Sequence, residues 1–214
     1  MKGELVRLVA LDGEEDYGLL AVWSGSLMSS YSSGTQNPMT ADQMRATLDG
    51  RASSYLMIRK LDDDRPIGMV NWETLAHPQS YTVGVAISDA DLWGGGYGMD
   101  SMLVLLEYLF HTKNAHRVHI QAGVFNKQMM QLLTSGVIVV EGVLRDYYYL
   151  DGEYHDSVIG SILRDEYYRM MPTIGYPRDA VAAQEKREAR ELLAAHLTKH
   201  PVALRPIDDG DVCG

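Results

Sequence analysis

The hydrophobic pattern changes period several times along the chain. Alternating apolar and polar positions mark 54–60, 67–75 and 80–87 as strands, with DDDRP at 62–66 as a solvated turn between the first two. An apolar run at 5–11 (LVRLVAL) reads as an opening strand, and Asp12 to Asp16 introduce a helix over Tyr17–Met28. SSYSSGTQNP at 29–38 is a Ser- and Gly-rich loop. Thr40 then opens a short helix that Gly50 stops, and Thr40 with Gln43 has capping-box spacing. A stripe of Met102, Leu105, Leu106 and Leu109 predicts a helix over 98–112. Strands at 116–124, 137–149 and 154–163 and a helix at 126–135 complete the pattern, with DGE at 151–153 as a hairpin turn. This order predicts an α+β domain over 1–172, a mixed and largely antiparallel sheet of six to seven strands flanked by helices.

Beyond Pro177 the pattern thins. DAVAAQEKREARELLAAHLTKH has helical composition, with Asp179 as its expected cap and Pro201 as its stop, but its stripe is only Val181, Leu192, Leu193 and Leu197. Residues 173–200 are therefore expected to form a helical extension or linker, able to dock along one side or to pair with a copy of itself as a homodimer. In the tail, 201–214, Val202, Leu204, Ile207 and Asp208 repeat the spacing of Val6, Leu8, Leu11 and Asp12. Either chance or the start of a second, similar domain in a tandem protein accounts for so short a match.

Composition narrows the classes. Of 214 residues 46% are apolar, enough for a substantial core. No run approaches the ~18 apolar residues of a membrane span, and MKGELVRLVAL lacks the layout of a signal peptide, so a cytoplasmic protein with no membrane partner is expected. The only cysteine, Cys213, excludes a disulfide framework and a cysteine-based metal site. His116 and His119, three apart on a strand, point to opposite faces and cannot chelate together, and no metal is expected. A net charge of −10 argues against nucleic acid and favours cationic small molecules or basic peptides. The twelve methionines read most simply as core filler.

One stretch carries candidate chemistry. WGGGYG at 93–98 places four glycines in six residues between a strand and a helix. That arrangement offers backbone N–H groups and a positive helix end to a phosphate, and glycine leaves no Cβ in the way. Spacing alone also fits a tight turn with no ligand. A P-loop would end in GK[ST], whereas Met99 and Asp100 follow Gly98. A dinucleotide fingerprint needs an early parallel βαβ unit, but antiparallel-looking strands precede this loop, and no acidic residue ends the strand at 116–124.

ISDADLWGGGYGMDSM resembles the acyl-CoA pyrophosphate loop of the Gcn5-related N-acetyltransferase (GNAT) superfamily, in its ribosomal-protein N-terminal acetyltransferase-like branch. Gly96 and Gly98 fill the two key glycine positions, Trp93 stands where Gln or Arg is frequent, and Asp100 replaces a common Glu. The resemblance continues through Asn126, at the head of a helix, and EGVLRDYYYLDGEYHDSVIGSILRDEY at 141–167, and covers residues 3–170. It implies a GNAT fold and an acyl-CoA-binding domain over 1–172, with acetyl-CoA as co-substrate. Carried across, it pairs the backbone of Ile87 and Ser88 with the pantetheine arm and cradles the pyrophosphate on the amides of Gly94, Gly95, Gly96, Tyr97, Gly98 and Met99. Trp93 would flank the phosphates, and Asn126 would bond the arm from the next helix.

Acetyl transfer from a thioester to an amine needs a neutral nucleophile, so an ammonium must first lose a proton. A backbone N–H near the carbonyl can polarise it. Here the chain departs from the family it resembles. Thr82 stands where many relatives carry Glu, Met129 where a Ser is common, and Leu132 or Leu133 where a Tyr serves as acid. Glu73, in NWETLAHP, remains as the candidate catalytic base, with a solvated strand end as its plain alternative. His77, before a proline, reads as a surface turn residue. Tyr147, Tyr148 and Tyr149 alternate across a strand, one face for packing and the other free to line an acceptor site. The expected activity is acetyl-CoA-dependent N-acetylation of a primary amine, on a small cationic molecule or a peptide N-terminus, by direct transfer in a ternary complex. The alternative is a catalytically degenerate acyl-CoA-binding domain with a regulatory or scaffolding role in a tandem protein.

Overall fold

The computed structural model describes residues 1–26, 29–31 and 34–201. The chain divides into two compact units, Met1–Pro177 and Arg178–Gly214. The first is built on a seven-stranded sheet of β1 (Val6–Val9), β2 (Ser53–Lys60), β3 (Pro66–Thr74), β4 (Ser80–Ile87), β5 (Arg117–Gly123), β6 (Val139–Leu150) and β7 (Glu153–Leu163). The spatial order is β1-β2-β3-β4-β5-β7-β6, and every pairing is antiparallel except β4 with β5. The helices that accompany the sheet include α1 (Gly13–Ser24), α2 (Ala41–Asp49), α3 (Tyr97–Glu107), α4 (Lys127–Leu133) and α5 (Arg164–Met170). The mixed sheet and its helices match the α+β architecture expected from the sequence.

Alternation along the strands sorts the core into two layers. Met57 and Met69 face α1 and α2, where Leu20, Ala21 and Met44 close a small cluster. Ile58 and Val70 face the other way, into a larger core with Leu105 of α3, Leu109 just past its end, Val118, Ile120 and Ile162. Leu105 and Leu109 are fully buried, and each such side chain contributes about 1.5–3 kcal/mol over an exposed one. Thr40 and Gln43 make the expected capping box at the start of α2, each side chain bonding the other's backbone N–H.

The start of α3 is fixed from outside the helix. Asp100, buried in its first turn, accepts hydrogen bonds from the backbone N–H groups of Glu4 (3.1 Å), Leu5 (2.8 Å) and Val6 (2.9 Å). One carboxylate thus pins the helix to the edge strand β1, while its charge favours the helix N-terminus. A Cβ on Gly3 would overlap that carboxylate, which accounts for a glycine beside the strand.

The structure differs from the sequence reading in several details. The helix expected over 98–112 is α3 followed by a wider π turn at Tyr108–Thr112. The last hairpin turns on Asp151 and Gly152 alone, both with positive φ (54° and 88°), so Glu153 already belongs to β7. In the second unit, α6 spans Ala183–Lys199 with Ala182 at its N-cap, and Asp179 instead pairs with Lys186 at 3.3 Å. The first helix, expected to reach Met28, already ends at Ser24 with Gly25 as its C-cap, and residues 29–31 are helical where a loop is expected. Residues 27–28 and 32–33, and the tail of 202–214 with its reading as a second domain, lie outside the described residues.

Candidate active site

The central feature is a place where two strands part. β4 and β5 are in register from Ser80↔Arg117 to Val83↔Ile120, yet β4 continues to Ile87 and β5 to Gly123. Strands that stop pairing while both continue must diverge, so a gap opens past Val83 and Ile120. On the β3 side, the Ser80 carbonyl accepts the N–H of Leu75, just past β3, and the Ser88 N–H donates to Ile67 of β3. Backbone bonding alternates sides along a strand, so the N–H and C=O groups of Val85 and Ile87 face the gap. The indole N–H of Trp93 donates to the Ile87 carbonyl at 3.2 Å. Ser88 is turned the other way, its N–H and hydroxyl both donating to the Ile67 carbonyl (2.8 and 2.9 Å).

WGGGYG lies at the open end of this gap. Gly94 and Gly96 take positive φ (79° and 87°), which a β-branched residue does not tolerate. Gly96 is the N-cap of α3, and no side chain caps it. The first-turn N–H groups of a helix have no partner within the helix, so this end suits an anion. A Cβ on Gly94 would meet only open space, room that an approaching ligand can use. What the loop offers an anion is therefore its backbone and the space above it.

A cavity of about 590 Å³ runs from the loop between α3 and α4. It brings together Ile87, Trp93, Gly94, Gly96, Gly98, Met99 and Asn126, all singled out in the sequence. Ser88, Gly95, Tyr97 and Glu73 are not among its lining residues. The Gly95 N–H donates to the Leu92 carbonyl at 3.2 Å, and Tyr97 lies under the Lys60 ammonium, 5.9 Å from its ring centre. Asn126 caps α4, its side-chain oxygen accepting from the Met129 N–H at 3.1 Å. Its carboxamide NH₂ is thus the end able to donate to a ligand. The remaining walls are mainly apolar, Met102, Leu103, Met129, Leu132 and Met171 among them, and no described lining residue is charged.

Tyr31 also lines the cavity, and the sequence reading passed over it. Its ring stacks on Trp93 with centroids 4.5 Å apart. Its hydroxyl donates to Gln128 Oε1 at 2.7 Å and accepts the Lys127 N–H at 3.0 Å, which ties the segment before α2 to the head of α4. The only available signal was a single aromatic in SSYSSGTQNP.

The opposite face of the sheet, apolar where Met57 and Met69 meet α1 and α2, carries a polar row farther along. Register places Glu73 beside Thr82, Thr82 beside His119 and His119 beside Ser161, so these side chains share one face in a row across four strands. Glu73 is exposed at the end of β3 and accepts a hydrogen bond from Ser53 Oγ at 3.1 Å. Arg117 forks onto Glu141, one arm at 2.9 Å, and Ser161 donates to Glu141 Oε1 at 2.8 Å. Glu141 falls at a bulge, where the register skips from Val140↔Gly160 to Gly142↔Ile159, and such bulges re-aim a side chain. The bond from Arg117, joined by that from Ser161, holds Glu141 below the usual carboxylate range despite burial. Tyr148 is half-buried, edge-on to Phe125, and burial pushes its phenol up, while Tyr147 and Tyr149 are exposed. Among the described residues no group of three or more His, Cys, Asp or Glu is placed to hold a metal ion, and no helix is long and apolar enough to cross a membrane.

A splayed β4–β5 pair, with a glycine turn at its mouth and α3 behind it, defines the class. The chain belongs to the acetyltransferase (GNAT) domain family, whose pattern matches residues 6–135. It is an acyltransferase that uses acetyl-CoA. It is 29% identical over 126 residues to "Uncharacterized N-acetyltransferase p20" of Bacillus licheniformis, which covers 56% of this chain and 67% of that one. The fold is similar to that of spermidine N-acetyltransferase from Vibrio cholerae in complex with CoA and spermine, with a TM-score of 0.68 at 19% identity over 76% of this chain and 98% of that one. A GNAT-family acetyltransferase from Bacillus anthracis is comparable, with a TM-score of 0.64 at 14% identity over 77% of this chain and 98% of that one.

Proposed function

We propose that the chain transfers the acetyl group of acetyl-CoA directly to a primary amine within a ternary complex. The observation that carries this reading is the parting of β4 and β5 past Val83 and Ile120, where Val85 and Ile87 line the apolar cleft. In this reading the amides from Gly94 to Met99 hold the pyrophosphate, Trp93 and Tyr31 cover it, and Asn126 donates to the pantetheine arm. The arm pairs with the backbone of Val85 and Ile87, which requires the Trp93 indole to release the Ile87 carbonyl. Acetyl-CoA supplies an activated acyl group, whose carbonyl lies in the gap.

The amine approaches from the other face. Glu73 and the net charge of −10 draw an ammonium there, and Tyr148 walls the far side. Two acceptor classes share this chemistry. The segment 141–167, similar to the ribosomal-protein N-terminal acetyltransferase branch, favours a peptide N-terminus. The fold neighbour bound to spermine favours a polyamine. Both are primary amines, cationic at neutral pH. A thiol-release assay with acetyl-CoA over a panel of polyamines and short peptides tests the reading. Release that depends on one of these amines supports it, and acetyl-CoA binding with no turnover on any of them contradicts it. Binding should also change tryptophan fluorescence as Trp93 leaves Ile87.

A further inference from the structure

On the reading of this site as an amine acetyltransferase, we infer that His119 is the catalytic base that takes the proton from the acceptor ammonium. His119 is the last residue on the acceptor face of β5 that is still in register with β4, directly beside Thr82 and immediately before the gap. An acyl carbonyl in that gap therefore has the His119 ring as its nearest titratable neighbour on the acceptor side of these two strands. Glu73 lies in the same row but beyond Thr82, roughly 10 Å from His119 between backbones at ~4.8 Å per strand spacing. It is placed to attract the ammonium, whereas His119 is placed to relieve it of a proton.

The ring is available for that work. It is partly exposed, and among the described residues it has no hydrogen-bond partner. The charged groups around it are Arg117 on its own strand, Glu141 on β6 and, across Thr82, Glu73 on β3. Burial, and after it the Arg117 guanidinium, hold His119 below the ordinary histidine value, and Glu141 only partly offsets them. The imidazole is thus neutral at neutral pH, the state a base requires.

The step balances as follows. A ring nitrogen of neutral His119 accepts one proton from R–NH₃⁺. The freed amine lone pair forms the N–C bond at the thioester carbonyl. Collapse of the tetrahedral adduct breaks C–S, the second amine proton passes to the departing thiolate, and His119 returns its proton to solvent. The products are the acetamide, CoA–SH and H⁺.

The test uses the full chain with the best amine of the panel. His119→Gln should lower kcat by about 10²-fold or more while calorimetric CoA affinity stays within twofold of wild type. The acidic limb of the wild-type kcat/KM profile, falling below ~6.5, should vanish in this variant. Imidazole added to His119→Ala should restore part of the rate. NMR titration of the wild-type ring should show it neutral at pH 7. An unchanged rate and limb in His119→Gln, or a wild-type ring protonated at pH 7, would overturn the assignment. Coenzyme A binding without turnover on any amine overturns it together with the reading it rests on.

Discussion

The cleft between α3 and α4 is walled by glycine backbone, methionine and leucine, and no described residue lining it is charged. Across the sheet, Glu73, Thr82, His119 and Ser161 line up beside an Arg117–Glu141 pair. In the proposed reading the first region grips its ligand with backbone N–H groups and shape, so its specification is local, a few glycines ahead of one helix. The second exists only through strand register, and no short stretch of chain contains it. Evolution can rewrite side chains on the polar face without disturbing the glycine cradle.

Substitutions can break this contrast at either end. Gly96→Val puts a β-branched residue at a φ of 87°, with its Cβ 3.2 Å from Leu5. Strain of about 1–3 kcal/mol, together with displaced N–H groups, should remove CoA binding by about 100-fold or more in calorimetry. Asp100→Ala leaves three backbone N–H groups without their acceptor and should cost about 3 kcal/mol in urea unfolding. An unchanged urea midpoint would show that the α3 start is held by something else.

On the acceptor side the effects are smaller. Glu73→Gln should raise KM for the amine about tenfold at low salt, with less effect as salt screens the charge, and should leave CoA affinity alone. Tyr31→Ala loses the stack on Trp93, worth about 0.5–1.5 kcal/mol, and should weaken CoA binding about fivefold. Glu141→Gln removes the one neighbour that raises the His119 pKa, so the acidic limb of the rate profile should move to lower pH by less than about one unit. A limb moving to higher pH would reverse the sign of this electrostatic account.

Much of this was legible in the sequence, and what was missed has a common cause. Alternation at 67–75 and 80–87 marked the strands, and Thr40 with Gln43 marked a cap, because each signal lies within a few residues. The glycine loop announced open space at a helix N-terminus for the same reason. Asp100 stood out as an acidic residue one turn into the helix, but its three bonds to the other end of the chain did not. His119 was read only as one of two histidines unable to chelate, because its pairing with Thr82 is set by a parallel register. Glu141 reaches Arg117 from a bulge, a break in the very alternation that sequence reading relies on. Tyr31 is placed by a tertiary stack, without a local pattern.

The central claim is that the two faces meet at the gap past Val83 and Ile120, and a crystal structure of the chain with coenzyme A tests it most directly. The account predicts the pyrophosphate on the amides of Gly94 to Met99, the Trp93 indole released from Ile87, and the thiol in the gap within reach of the His119 side of the sheet. Coenzyme A bound elsewhere, or with its thiol pointing away from that gap, would contradict it.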